Sequence, residues 1–551
     1  MQSFLQNTLG ALLLLSASCF QPAMAQTKLA DYAFGGSGSD NCTGSLLTAD
    51  GSLLLSGITY SGVGGEVTEP VRGTASRYNA DYWLTKTTTQ GVKLWDKRFG
   101  GDAMESLAKV LATPDGGYLL CGDSYSGVGY DKSEASRGES DYWVVKVNAQ
   151  GIKQWDKRYG SSSYDQLKSA IITPDGGSLL VGTTFGQQPS GDRTATLSGG
   201  IGIWVVKLDA AGNKQWDKAF GSSNASYAVD IVSLAGGGYA LGGFIIGTGG
   251  DVMATPHDNA ATDYWVVGLD AAGTKQWDRL YGGAAYDQLG AMLATADGGL
   301  LLGGVSMSPV SGDKTQYDVQ KDWWLIKVNA QGIKQWDQIY GPPRPSNSIT
   351  LSNTLVTMQQ TPQGGYLLAG YSGWYGPASP DPDDVPYRYW LLNTTAAGVV
   401  QSQQIASGNK DNVVGGLVQQ GTALWLAGSS ASDVGGDRTA ANRGSSDFWV
   451  VKYDATTLAV APGMEPESGF TVYPNPVRTG KLTIKLASAK TPQAVQIQLV
   501  NALGQPVQKS SLTAPAASTE YELPISDLPT GIYTLLLQTA SGTITKKIVK
   551  E

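Results

Sequence analysis

The sequence predicts an all-β fold: a seven-bladed β-propeller closed by the N-terminal strand, followed by a small β-sandwich. Three observations carry that prediction. A tryptophan anchor recurs seven times, at Trp83, Trp143, Trp204, Trp265, Trp324, Trp390 and Trp449, with spacings of 60, 61, 61, 59, 66 and 59 residues. Each period reads as four short apolar, β-branched or aromatic runs parted by Gly/Asp turns. No segment sustains the 3.6-residue hydrophobic period of a helix.

Residues 1–25 read as an export signal. An apolar run from Leu9 to Phe20 leads to the small-x-small pattern Ala23-Met24-Ala25, which places cleavage between Ala25 and Gln26. The n-region has no Lys or Arg. The run is too short to span a membrane, and no other apolar run approaches the roughly 20 residues of a transmembrane helix. Cys42 and Cys121 remain after cleavage; the compartment permits a disulfide, but both read as free buried thiols.

Composition narrows the rest. With 39 basic and 47 acidic residues the net charge is −8, so the basic footprint of a nucleic-acid binder is absent. A hydrophobic fraction of 41% excludes wholesale disorder. A single histidine, His257, in a long loop, excludes multi-histidine catalysis and His-rich metal sites.

The unit from Asp165 to Gly221 shows the four pieces. Leu167 to Thr173 ends at the turn Pro174-Asp175-Gly176-Gly177, and Ser178 to Gly182 follows. After a long Gly/Ser/Asp-rich loop come Ile203 to Leu208, the turn Asp209-Ala210-Ala211-Gly212, and Lys214 to Phe220. The anchor strand is apolar on both faces, as a sheet buried between sheets requires. The units drift: Leu234-Ala235-Gly236 replaces a Pro-Asp-Gly turn, Arg388 replaces the Asp before an anchor, and the sixth unit loses its Trp-Asp pair near Gln403. Residues Lys28 to Gly36 match Lys93 to Gly101, a fourth strand, while no fourth strand follows Trp449. The N-terminal strand is therefore expected to complete the seventh sheet and remove its open edge. The propeller spans 26–455.

Residues 456–468 read as a linker, and the composition changes from Gly469. Residues 469–551 lack Trp, and Leu482, Ile484 and Leu486, like Val495, Ile497 and Leu499, alternate with polar residues as half-buried strands do. Eight basic against four acidic residues make this part +4, and two glutamates make the linker −2, leaving −10 on the repeats.

On the Asp-aromatic-Trp, Trp-Asp and Thr-Pro-Asp-Gly-Gly elements, residues 28–455 resemble the roughly 60-residue, delta-60-like propeller repeats of secreted bacterial proteins. The tail resembles the type A C-terminal sorting domain of the type IX secretion system. The matching residues are Phe470 to Pro476, with Tyr473-Pro474-Asn475-Pro476 at the centre, Asn501-Ala502-Leu503-Gly504, Leu528-Pro529-Thr530-Gly531-Ile532-Tyr533, and the final Gly542 to Lys550. The resemblance implies a secreted or outer-surface protein whose partner is the type IX machinery.

No P-loop, Rossmann fingerprint or H-E-x-x-H motif is present. The candidate binding face is a set of loops between second and third strands that carry Asp131, Asp192, Asp251, Asp313 and Asp437. Hard oxygen ligands of this kind suit Ca²⁺, but repetition in most units favours Asx-type turns and Asp–Arg/Lys pairs, and no cofactor is expected. The function expected is binding, of a surface glycan or a protein, or structural. The alternative is a polysaccharide-active glycosidase or lyase that uses paired carboxylates.

Overall fold

The structure, a computed structural model, describes residues 24–460 and 470–550, apart from 75–78, 256–260, 317–320, 343–348, 376–385, 479, 487–492, 502–505, 515–518 and 540–541. The expected signal core, His257 and most of the linker lie outside the described residues. Among the described residues every regular element is a β-strand, and no helix is long and apolar enough to cross a membrane. The chain divides into two compact units between Ala461 and Pro462.

The first unit holds seven groups of antiparallel strands, spanning 40–99, 105–159, 165–220, 225–281, 287–340, 349–406 and 412–460. The first, second and fifth groups are separate four-stranded sheets. The third and fourth join through the parallel pair Ile201 and Ala225. The seventh group has three strands of its own, and its fourth is the N-terminal strand Met24–Phe34. That strand runs antiparallel to Asp447–Val460, with Ala33 opposite Trp449, and touches the sixth group at Met24 and Ser402. The pairing expected of residues 28–36 thus covers 28–34. The last strand continues to Val460, past the boundary expected at 455, because Thr456, Thr457 and Val460 are β-branched and Leu458 to Val460 find partners in Met24 to Gln26.

Core burial follows from the apolar third strands. All seven residues of Asp141–Val147 are buried, whereas in Lys153–Tyr159 only Asp156 and Tyr159 are. All seven anchor tryptophans are at most 1% exposed. Most of them meet an aromatic ring of a neighbouring sheet: Tyr82 lies 4.9 Å from Trp143, Tyr142 5.0 Å from Trp204, and Tyr389 4.9 Å from Trp449. Each tyrosine hydroxyl also donates to the backbone carbonyl of that tryptophan, at 3.2 Å in all three cases. Side chains of this size each contribute about 1.5–3 kcal/mol on burial, so the wedge between sheets is the main store of stability. The first and seventh groups pack on each other in the same way, through Trp83 and Phe448 at 4.6 Å and a cluster that includes Phe34, Leu55 and Val450. Cys42 and Cys121 are free and buried; burial pushes the Cys42 thiol up to about 12 and that of Cys121 higher still.

Every first strand carries a bulge at the same place. The register slips between Cys42 and Gly44, Leu107 and Lys109, Leu167 and Ser169, Ala228 and Asp230, Leu289 and Ala291, Leu355 and Thr357, and Val414 and Gly416. Each slip leaves one residue unpaired with its neighbour strand.

The second unit has a sheet of Phe470–Tyr473, Lys481–Leu486 and Thr519–Pro524, and another of Pro506–Ala514, Gln493–Asn501, Gly531–Thr539 and Gly542–Lys550. Leu482, Ile484 and Leu523 of one share an apolar cluster with Ile497, Leu499, Leu535 and Ile548 of the other.

Candidate functional site

The loop acids are held from two directions, and Asp131 and Asp192 from a third. The turn that bears Asp192 is closed by Arg193 N–H donating to the Ser190 carbonyl at 3.0 Å and Ser190 N–H donating to the Arg193 carbonyl at 3.1 Å. It requires a positive φ just before the acid, which Gly65, Gly191, Gly250, Gly312 and Gly436 supply at 56–64°. Among the described residues the second group departs in residue type, with Tyr130 at 52°.

Each acid then grips the connection that enters its sheet. Asp131 N–H donates to the Gly100 carbonyl at 3.0 Å, Asp192 to Gly160, Asp251 to Gly221 and Asp313 to Gly282 at 2.8 Å, and Asp437 to Ser407 at 2.7 Å. The carboxylates accept the return bond, from Gly221 N–H to Asp251 at 2.9 Å and from Ser407 N–H to Asp437 at 2.8 Å. A lysine of the fourth strand donates to the carbonyl of the same acid: Lys153 to Asp131, Lys214 to Asp192, Lys275 to Asp251, Lys334 to Asp313 and Lys28 to Asp437.

The third grip is an arginine of the preceding sheet. Arg72 meets Asp131 at 2.7 Å, Arg137 meets Asp192 at 3.0 Å, and Arg443 of the seventh group meets Glu66 of the first at 3.3 Å. The first two are Asp–Arg pairs of the kind expected, but the arginine comes from the preceding sheet and not from the residue next to the acid. The neighbours Lys132, Arg193, Lys314 and Arg438 turn inward and are at most 2% exposed. The signal missed was the Arg-Gly pair at 72–73, 137–138 and 443–444.

Beneath the loops the Trp-Asp element forms a second network. The indole N–H of Trp143 donates to Asp156 at 3.0 Å, and Ser133 N–H donates to the same carboxylate at 2.9 Å. Trp83, Trp204, Trp265 and Trp324 repeat this with Asp96, Asp217, Asp278 and Asp337. In the seventh group Trp449 donates to Asp31 of the N-terminal strand at 2.9 Å. The sixth group has Gln403 there, and Trp390 keeps a buried indole nitrogen with no partner.

Paired carboxyls do occur, but at the buried base of the connections. Burial pushes Asp81 up to about 6 and Glu105 up to about 7, and Asp165 up to about 6, although hydroxyls such as Ser126 and backbone N–H groups donate to them. All three are 0% exposed, so a polymeric substrate has no path to them. Among the described residues no group of three or more His, Cys, Asp or Glu side chains is gathered as a metal site.

The sorting motif lies in the second unit. Tyr473 to Pro476 are exposed, and both X–Pro bonds are cis. Asn475 Oδ1 accepts from Val549 N–H at 2.8 Å, and Val477 N–H donates to the Val549 carbonyl at 2.7 Å. Gly531 opens a strand that pairs with Lys550, whose ammonium donates to the Ser526 carbonyl at 2.7 Å. The motif pieces therefore converge on the last strand. Ala502 to Gly504 lie outside the described residues.

Residues 471–551 match the family of secretion system C-terminal sorting domains. The tail is a type IX sorting domain, which implies interaction with that machinery, and the protein is secreted or exposed on the outer cell surface. The regulatory protein FlaEY of Caulobacter vibrioides is 22% identical over 279 residues, 46% of this chain. The match covers 28% of that relative, so the chain spans under a third of its length. Among solved structures, the extracellular region of plexin A4 aligns over 94% of this chain and 67% of its own, with a TM-score of 0.43 and 9% identity. An ACO/RPE65 chimera aligns over 70% and 95%, with a TM-score of 0.34 and 12% identity.

Proposed function

We propose that residues 26–460 form a seven-bladed β-propeller with a binding or structural role, carried outward by the tail, itself a small β-sandwich. The observation that carries this reading is the joint between the ends of the array: Asp31 accepts from Trp449 as Asp156 accepts from Trp143. The Arg443–Glu66 pair and the cluster around Trp83 and Phe448 support a ring of the same kind. Cleavage at Ala25–Gln26 retains the residues that make this joint.

The case against catalysis is one of access. The carboxyls that burial makes weaker acids are enclosed, and the loop acids are already hydrogen-bonded. We read the loop acids as joints between sheets and not as Ca²⁺ ligands. A glycan array probed with the secreted protein, followed by a reducing-sugar release assay on any glycan retained, tests the reading. Retention without release is expected. Release abolished by a single Asp or Glu substitution would establish the polysaccharide-active enzyme instead.

A further inference from the structure

The seven bulged strands converge on one cavity of ≈ 410 Å³. Its wall takes the unpaired residue from every group: Thr43, Ala108, Lys168, Val229, Gly290, Val356 and Gly415. The volume falls in the usual range for small-molecule sites, about 300–1,000 Å³. A bulge re-aims one side chain without disturbing the rest of the ladder, so this layer can vary while the sheets stay the same.

The wall is chemically lopsided. The second and third groups supply two cations, Lys109 and Lys168. Both are solvent-exposed, and among the described residues neither lies in an ion pair. The rest of the wall is largely uncharged: the first, fifth and seventh groups supply Thr43, Gly44, Ser45, Gly290, Gly415 and Gly416, and the sixth supplies Val356 to Gln359. One acid, Asp230, also borders the cavity, where Ser169 Oγ donates to it at 2.6 Å and Ile231 N–H at 2.9 Å, so two cations against one anion leave the wall net positive. Buried Asp123 lies close enough to Lys168 to feel its charge but beyond ion-pair distance. In a repeat region that carries −10, two unpaired ammonium groups facing one cavity are the exception.

We propose that this cavity is a binding site for a small oxyanion, a carboxylate, sulfate or phosphate group held between Lys109 and Lys168, with the Gly/Ser/Thr sector accommodating the group that carries it. Two ammonium groups on one side bind such an anion as point charges with three donors each. The proposal deepens the binding role above and rests on the ring, since the wall needs all seven groups.

The test is calorimetry on the full-length secreted protein with sodium sulfate, galacturonate, glucose 6-sulfate and glucose. The sulfate and carboxylate probes are expected to bind and to weaken as salt rises, while glucose does not. Tighter binding of the sugar acids than of inorganic sulfate identifies an anionic sugar as the source; the reverse order identifies the free ion. Lys109→Gln and Lys168→Gln should each weaken binding tenfold or more, and Lys218→Gln, on an outer strand, should leave it unchanged. No anion bound at 10 mM (about the weakest affinity worth calling a site), glucose bound equally well, or affinity unaltered in the double variant would overturn the proposal. Failure of the ring itself reads out separately, as an unchanged melting temperature on deletion of residues 26–36.

Discussion

A glycine follows the fourth strand in six of the seven groups, and in five of the six a carboxylate lies against it. A Cβ on Gly160 would lie 1.8 Å from Asp141 Oδ1, and one on Gly282 1.9 Å from Asp263 Oδ1. Where the anchor acid is replaced, the constraint lifts. The sixth group has Arg388 and is followed by Ser407; the third has Gly202, and a Cβ on Gly221 would meet nothing nearer than 3.7 Å. Gly160→Ala is therefore expected to cost roughly 2–3 kcal/mol by overpacking, and Gly221→Ala under about 1 kcal/mol. Urea unfolding of the two variants checks this, and equal costs would contradict it. The Tyr-Gly and Phe-Gly stops were legible as strand ends in the sequence. Their cause was not, because it depends on the approach of Asp141 to Gly160 across the sheet.

At the scale of one element, the N-terminal strand carries a complete set of fourth-strand contacts. Burial pushes Asp31 up, but donors from Lys28, Thr439 and Trp449 outweigh it and hold the carboxyl at about 2. Deleting residues 26–36 removes these bonds and exposes the edge of Asp447–Val460, at an expected cost of at least about 3 kcal/mol. A melting temperature equal to that of the intact protein would contradict it. This strand was legible because Lys28 to Gly36 repeats Lys93 to Gly101 at the lysine, leucine, aspartate, phenylalanine and both glycines. The bulges were not: Leu107 and Val110 flank the slip with apolar residues on both sides, and hydrophobic alternation cannot register one extra residue there. The arginines that grip the loop acids were hidden for a related reason, since Arg137 and Asp192 lie 55 residues apart.

For the whole molecule, burial sets the response to pH. Asp81, Asp165, Glu105 and Asp123 are pushed up to about 6, 6, 7 and 7. The folded chain therefore binds these protons more tightly than the unfolded chain, so their contribution is complete below about pH 4 and lost as pH rises through 6 to 7. Other carboxyls act oppositely, over a lower pH interval. Asp115 and Asp175, held at about 2 by Lys146 and Lys207, contribute above about pH 4 and lose that contribution as pH falls. Stability should peak on the acid side of neutrality, and the melting temperature should fall by several degrees from pH 5 to pH 8. Asp165→Asn should flatten that fall, since Asn353 and Asn412 already fill the same place in the sixth and seventh groups. A melting temperature that rises over this interval would refute the assignment.

The partner of the first strand is almost the last to be made. Thr439 donates to Asp31 across 408 residues, whereas all other fourth strands find their neighbours within a few tens of residues. A chain that leaves the ribosome or an export channel N-terminus first must carry residues 28–34 unmatched until residues 447–454 have emerged. Six groups can mature in order while the seventh waits. Completion of the array thus reports that the whole array has arrived. A prematurely ended product keeps two bare strand edges, the feature that invites aggregation and proteolysis.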